Sequence, residues 1–273
     1  FHSYKGSRYK GFFHIPRYLL DCIRVLKRLE TRASSAASTE PLDSRRSSRF
    51  AVESLIVSPA SPQCQTPRYS LHTAYRSLAG AAVDGAGTCE CVTPVFSKIP
   101  EDADFLANNY NVAPFFGGAY VCYAYSYTGG ALVDWATKFL GKGHEELCRG
   151  YAGATGLLVL PHFAGAATPY MDSGSKGAIV GATLATTPRD LYFACLEGVA
   201  YEMRLNRDRL ARSGVRYDRL IATGGGAKSK VWCQIKADVL GVPLVSLATD
   251  DAGTVGCAMM AGVAAGVFAD LSA

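Results

Sequence analysis

The sequence predicts an α/β domain over residues 80–273, preceded by a basic, poorly structured segment over residues 1–79. Three observations point to it. Of the 28 glycines, 26 lie from Gly80 onward. Over those residues, short apolar runs alternate with amphipathic helical stretches closed by glycine, the pattern of a layered α/β fold. The upstream residues instead include eleven serines between Thr31 and Ala79, with Arg45, Arg46 and Arg49 and no sustained apolar period. Such a segment buries too little surface to offset its ordering entropy, so it reads as disordered or aberrant. Within it, Leu19, Leu20, Ile23, Val25 and Leu26 outline one short basic amphipathic helix.

Taken in order, residues 119–126 have strand character, and Gly129-Gly130 ends that strand before a helix over 131–140. Residues 157–160 and 178–180 read as short strands. The clearest helix covers 188–213, with Thr187 as N-cap, Pro188 at the first position, Asp190 in the first turn and Gly214 as the stop. Leu191, Cys195, Leu196, Val199 and Met203 form its apolar stripe, while Arg204, Arg207, Arg209 and Arg212 load the end that the helix dipole favours for cations. A strand over 220–223, a turn at 224–226, a helix over 228–240, a strand over 244–247 and a helix over 253–266 complete the domain.

Charge and cysteine usage narrow the function classes. The chain has a net charge of +5, but residues 1–78 hold 13 Lys+Arg against 5 Asp+Glu, whereas residues 79–273 hold 15 against 18. The basic balance therefore belongs to the upstream segment, and no nucleic-acid partner is expected for the domain. Nine scattered cysteines are an odd number in a chain of 273 residues, which reads as reduced thiols in a cytoplasmic protein rather than a disulfide framework. Cys89-Glu90-Cys91 is too small a ligand set for a metal site and reads as packing. The uncharged stretches 151–171 and 252–269 are broken by proline or built largely of glycine and alanine, so no membrane span is expected.

Thr223-Gly-Gly-Gly-Ala-Lys-Ser229 carries the strongest chemical signal. Three glycines let backbone approach a ligand without an intervening Cβ, the following helix offers unpaired N–H groups, and Lys228 and Ser229 add a charge and a hydroxyl. Its spacing fits neither the Walker loop nor the dinucleotide fingerprint. Asp84-Gly-Ala-Gly-Thr-Cys-Glu90 is a second glycine loop, readable as a phosphate nest or as an ordinary β-turn.

In sequence order, Gly87-Thr88, Ser126-Tyr-Thr-Gly-Gly130, Pro161-His-Phe-Ala-Gly165, Thr168-Pro-Tyr-Met-Asp172, Leu196-Glu197-Gly198, the run 224–229 with Trp232 and Gln234, and Gly253-Thr-Val-Gly-Cys-Ala258 resemble the C-terminal domain of the FGGY carbohydrate kinases, on the xylulokinase-like side. The resemblance covers residues 80–273. It implies an actin-like, ribonuclease-H-like ATPase lobe, ATP and Mg2+ as cofactors, and transfer of the γ-phosphate to a sugar such as a ketopentose. It assigns Gly87 and Thr88 to the phosphate-contacting hairpin, and Gly224, Gly225, Gly226, Lys228 and Ser229 to the nucleotide-lining segment.

The resemblance also implies an N-terminal lobe and an aspartate base ahead of the hairpin. No acid lies between Glu53 and Asp84, and residues 1–79 lack the glycines of such a lobe. No catalytic residue and no metal ligand is therefore assigned, and the chain is expected to be an incomplete kinase, inactive alone. The other expectation is a non-catalytic nucleotide-binding remnant or interaction protein. Self-association is expected through apolar surface around residues 119–131 and 252–268.

Overall fold

Period-two burial over Ala82, Asp84 and Ala86 makes residues Ala81–Ala86 a strand with one face turned inward. The computed structural model describes residues 52–54, 80–247 and 252–269, all within one unit spanning Arg45–Ala273. Cys22, Cys64 and the helix expected near residues 18–32 lie outside the described residues.

Nine strands are defined among them: β1 (Val52–Ser54), β2 (Ala81–Ala86), β3 (Glu90–Phe96), β4 (Asn111–Pro114), β5 (Tyr120–Ser126), β6 (Leu158–Leu160), β7 (Ala178–Val180), β8 (Arg219–Thr223) and β9 (Leu244–Ser246). Seven form one sheet in the order β1-β9-β8-β2-β3-β5-β4, and β6 pairs with β7 separately. The sheet is parallel from β1 to β2 and antiparallel from β2 to β4. Three residues of the segment expected to be poorly structured, Val52–Ser54, thus add an edge strand beside β9.

Six α-helices accompany the strands: α1 (Ala103–Ala107), α2 (Gly130–Leu140), α3 (His144–Leu147), α4 (Pro188–Arg212), α5 (Lys230–Leu240) and α6 (Ala252–Ala264). Capping fixes where α4 begins. The Thr187 hydroxyl accepts from the Asp190 amide at 3.2 Å, and the Asp190 carboxylate accepts from the Thr187 amide at 2.8 Å. Replacing Thr187 by Ala is expected to cost about 1 kcal/mol in urea unfolding. An unchanged midpoint would show that packing alone sets this helix start.

The single apolar stripe expected on α4 is too narrow. Every residue from Tyr192 to Ala200 is buried, because α2, α5 and β6 contribute to the same core cluster around it. Its arginines also act elsewhere than expected. Arg204 and Arg207 donate to the Val239 and Leu240 carbonyls, at 2.8 and 2.7 Å, and so cap the end of α5. Arg209 donates to the Asn108 side-chain oxygen at 2.7 Å.

Of the two stretches expected to be adhesive, residues 119–131 are largely packed, with Val121, Cys122, Ala124 and Ser126 buried in β5. By contrast, α6 has no buried residue, and Val255, Met260, Val267 and Phe268 are exposed. Among the described residues no helix is long and apolar enough to cross a membrane.

Candidate functional site

The carboxyl ends of β2 and β8 lie side by side, with Gly85 opposite Thr223 in a parallel register. The turns leaving the two strands therefore meet at one edge of the sheet, the place where open α/β sheets take ligands. After β2 comes the hairpin tip Gly87-Thr88-Cys89. After β8 comes a 3-10 turn, Gly225–Lys228, and then α5 with the Ser229 hydroxyl capping the Trp232 amide at 3.3 Å. The helix expected from Lys228 thus begins two residues later. As the first residues of the 3-10 turn, Gly225 and Gly226 have N–H groups with no acceptor inside it.

Between these segments lies a cleft of about 500 Å³. Of the seven residues expected to bind, Gly87, Thr88, Gly225, Gly226, Lys228 and Ser229 line it. Gly224 is not among the lining residues. At φ +83° it faces the hairpin, where an added Cβ would stand 2.7 Å from the Ala86 carbonyl oxygen. Its missing side chain lets the two backbones approach closely. Gly225 is the opposite case, with nothing within 4 Å of an added Cβ.

The sequence reading missed part of the wall. Gly130, Val133, Asp134, His144 and Trp232 also line the cleft. Gly129-Gly130 reads in the sequence as the end of a strand and as part of the motif 126–130, with no place in a cleft wall. Yet the start of α2 docks onto the hairpin: the amides of Gly129 and Ala131 donate to the Thr88 carbonyl at 2.9 and 3.1 Å, and that of Gly130 to the Gly87 carbonyl at 2.8 Å. These helix-start donors are therefore used to hold the hairpin. Val133 and Asp134 follow one turn along α2. His144 arrives on α3, which no periodicity announced, and the hydroxyl of buried Tyr192 bonds its Nδ1.

Beneath the hairpin, away from the cleft, Lys236 Nζ lies 2.9 Å from Asp84 Oδ2 and also contacts Glu90 Oε1. All three side chains are almost fully buried. Burial first, and the Asp84 charge second, hold the Glu90 carboxyl well above the usual carboxylate range, with Lys236 opposing. The two carboxylates overcome burial and raise Lys236 above its ordinary value. Asp84 is 1% exposed and its carboxylate is held by Lys236.

Elsewhere, His162 Nδ1 is 2.8 Å from Ser175 Oγ, and its Nε2 is 2.9 Å from Glu202 Oε1. This has the order of a nucleophile, base and acid, but all three residues are buried and none lines the cleft. It ties the loop after β6 to α4.

Cys89-Glu90-Cys91 is not fully packed as expected, because Cys89 is exposed. Cys89 is exposed at the hairpin tip and donates to the Tyr127 carbonyl, while half-buried Cys91 meets Thr93. Among the described residues no group of three His, Cys, Asp or Glu could hold a metal, and Asp134 is the one carboxylate among the cleft-lining residues. This donor set does not fit a magnesium ion held by these side chains alone.

Residues 85–265 match the C-terminal domain of the FGGY family of carbohydrate kinases. The chain belongs to that family. Among curated FGGY-type relatives, a glycerol kinase of Variovorax paradoxus is 32% identical over 154 residues, covering 53% of this chain and 31% of its own length. One from Delftia acidovorans is 28% identical over 202 residues, covering 70% and 40%. Among solved structures, a xylulose kinase from Rhodospirillum rubrum superposes with a TM-score of 0.60 at 26% identity, over 72% of this chain and 42% of that one. A glycerol kinase from Plasmodium falciparum solved with ADP gives 0.62 at 20% identity, over 72% and 41%, and speaks for the fold alone. The chain thus spans about a third of the length of the first of these curated relatives.

Proposed function

We propose that residues 80–269 form the nucleotide-holding lobe of an ATP-dependent carbohydrate kinase, which transfers a phosphoryl group to a hydroxyl of a sugar such as a ketopentose. One observation carries the reading: the Gly87-Thr88 hairpin tip and the Gly225-Gly226 turn line the same cleft at the carboxyl ends of two parallel strands. Phosphoryl transfer needs positioning and charge stabilisation more than covalent participation by the protein, and backbone donors, Lys228 and the Thr88 and Ser229 hydroxyls supply both. Gly224 is not a ligand contact in this reading.

A second reading, nucleotide binding without transfer, is favoured by the burial of Asp84. That acid sits on the hairpin strand, but its engagement with Lys236 prevents it from acting as a base. Transfer then requires a base and sugar contacts from a complementary lobe.

Titration calorimetry with MgATP and MgADP separates these readings from a ligand-free interaction protein. Binding is expected to saturate at one site and to raise the melting temperature as ligand exceeds its dissociation constant. A coupled assay for ADP release with xylulose and glycerol is expected to show no turnover by the chain alone. Heatless titrations and an unmoved melting temperature would remove the nucleotide site, and robust turnover would place a base within this chain.

A further inference from the structure

Each limb of the phosphate hairpin sends one carboxylate to a single buried ammonium. Asp84 stands on β2 two residues before the last residue of that strand, Glu90 opens β3, and the tip Gly87-Thr88-Cys89 hangs between them. Their common partner, Lys236, belongs to α5, the helix that begins at the opposite wall of the cleft. Its ammonium also lies 4.3 Å from the ring centre of Trp232, one turn earlier on α5, and that ring lines the cleft. None of the three charged residues lines it.

We propose that Lys236, Asp84 and Glu90 are positioning residues that fix the phosphate hairpin against α5, setting the width of the slot between Gly87-Thr88 and Gly225-Gly226 without touching the nucleotide. The proposal deepens the nucleotide-lobe reading and rests on it for its effect on affinity.

Stability alone is a poor reason for such a cluster. Withdrawing three charges from water costs more than their mutual attraction reliably returns, and apolar replacements of buried ion clusters are often neutral or stabilising. What the cluster supplies is direction. Apolar contacts between hairpin and helix tolerate sliding, whereas one ammonium shared by two carboxylates on different strands fixes both limbs at once. Charge balance is consistent with this. Among the described residues, Asp84 Oδ1 and Glu90 Oε2 have no hydrogen-bond partner. A proton retained on Glu90 leaves one cation against one anion and supplies a donor within the cluster. The start of α2 holds the tip from the other side through the Gly87 and Thr88 carbonyls, so the cluster governs the base of the hairpin and α2 its tip.

The test uses the full chain with Lys236→Met and the double variant Asp84→Asn/Lys236→Met. The single variant strands a buried anion and is expected to melt well below wild type. The double variant removes both charges and is expected to recover most of that loss. Two further readouts separate positioning from bulk stability: amide exchange of the peptide covering residues 84–91 without ligand, and MgADP affinity. If the cluster positions the hairpin, the recovered double variant still exchanges about tenfold faster over residues 84–91 and binds MgADP about tenfold more weakly. Wild-type exchange in the double variant overturns the proposal. So does a double variant that does not fold, since the cluster is then part of the core itself. If wild-type protein binds no MgADP, the nucleotide reading falls, while exchange in the unliganded chains still decides whether the cluster holds the hairpin.

Discussion

Gly224→Ala is expected to destabilise the domain by about 2–5 kcal/mol, combining a left-handed backbone with overpacking. The φ of +83° admits alanine only with strain, and the new Cβ would meet the Ala86 carbonyl oxygen at 2.7 Å. Neither group can yield cheaply, because Ala86 is the last residue of β2 and Gly224 follows directly on β8, two hydrogen-bonded strands. Gly225→Ala, one residue along, is expected to stay within about 1 kcal/mol of wild type, because its Cβ would project into open space. Gly225 lines the cleft, so the same methyl group is expected to weaken MgADP by about tenfold or more by blocking backbone approach to a phosphate. Urea unfolding and calorimetry on the two variants read the contrast. Equal destabilisation of both would mean that the turn is uniformly packed, and undiminished affinity in Gly225→Ala would move the phosphates away from it.

Glu90→Gln is expected to change how stability depends on pH. Burial and the neighbouring Asp84 raise the carboxyl in the folded chain, while the unfolded chain ionises near the ordinary value of about 4.3. Above that value the folded state holds the proton that the unfolded state has lost. Stability from this group is therefore greatest at or below about pH 4.3 and falls as pH rises toward the folded-state value, by at most about 1.4 kcal/mol per pH unit. Lys236 works in the opposite sense, being raised when folded. Its contribution is fully present below about pH 10.4 and is therefore constant over the range of interest. Glutamine cannot ionise, so the variant is expected to lack the Glu90 slope and to gain on wild type as pH rises above about 4.3 toward the folded-state value of Glu90. Parallel curves for the two proteins would show that Glu90 is ionised in the fold and that the cluster carries a net negative charge.

Local grammar made much of the fold legible. The start of α4 was readable because Thr187, Pro188 and Asp190 satisfy the helix's own orphan amides, and β6 and β7 because short apolar runs end at glycine or proline. The short β4 and α3 gave no comparable signal: four residues contain no period, and their existence depends on a neighbouring element. For the same reason α4 looked one-sided. Small and polar residues such as Ala194, Glu197 and Gly198 carry no stripe, yet they are buried once α2, α5 and β6 surround the helix.

The candidate site divides in the same way. Glycine runs identified segments able to approach a ligand, and six of their seven named residues line the cleft. The motif could not say which glycine lines the cleft and which sits against another strand. That depends on Gly224 meeting Ala86, far away in sequence. Trp232 was noticed in its motif without a place in the wall, and Asp134 lay unmarked in an ordinary helix. Lys236 and Glu90 gave no sign of burial at all, since charged side chains are normally solvated.

Sequence by itself determined that the residues from Gly80 onward are α/β, that their glycine turns follow strands, and that the net positive charge of the chain lies upstream of them. These follow from composition and short-range periodicity, which act within a few residues. Tertiary structure alone decided which glycines line the cleft, that the start of α2 clamps the hairpin, and that Lys236 joins Asp84 across 152 positions of sequence. Each of these depends on atoms brought together by sheet pairing. Their energies come from contact geometry and a shared low-dielectric interior, which no local pattern of residues encodes.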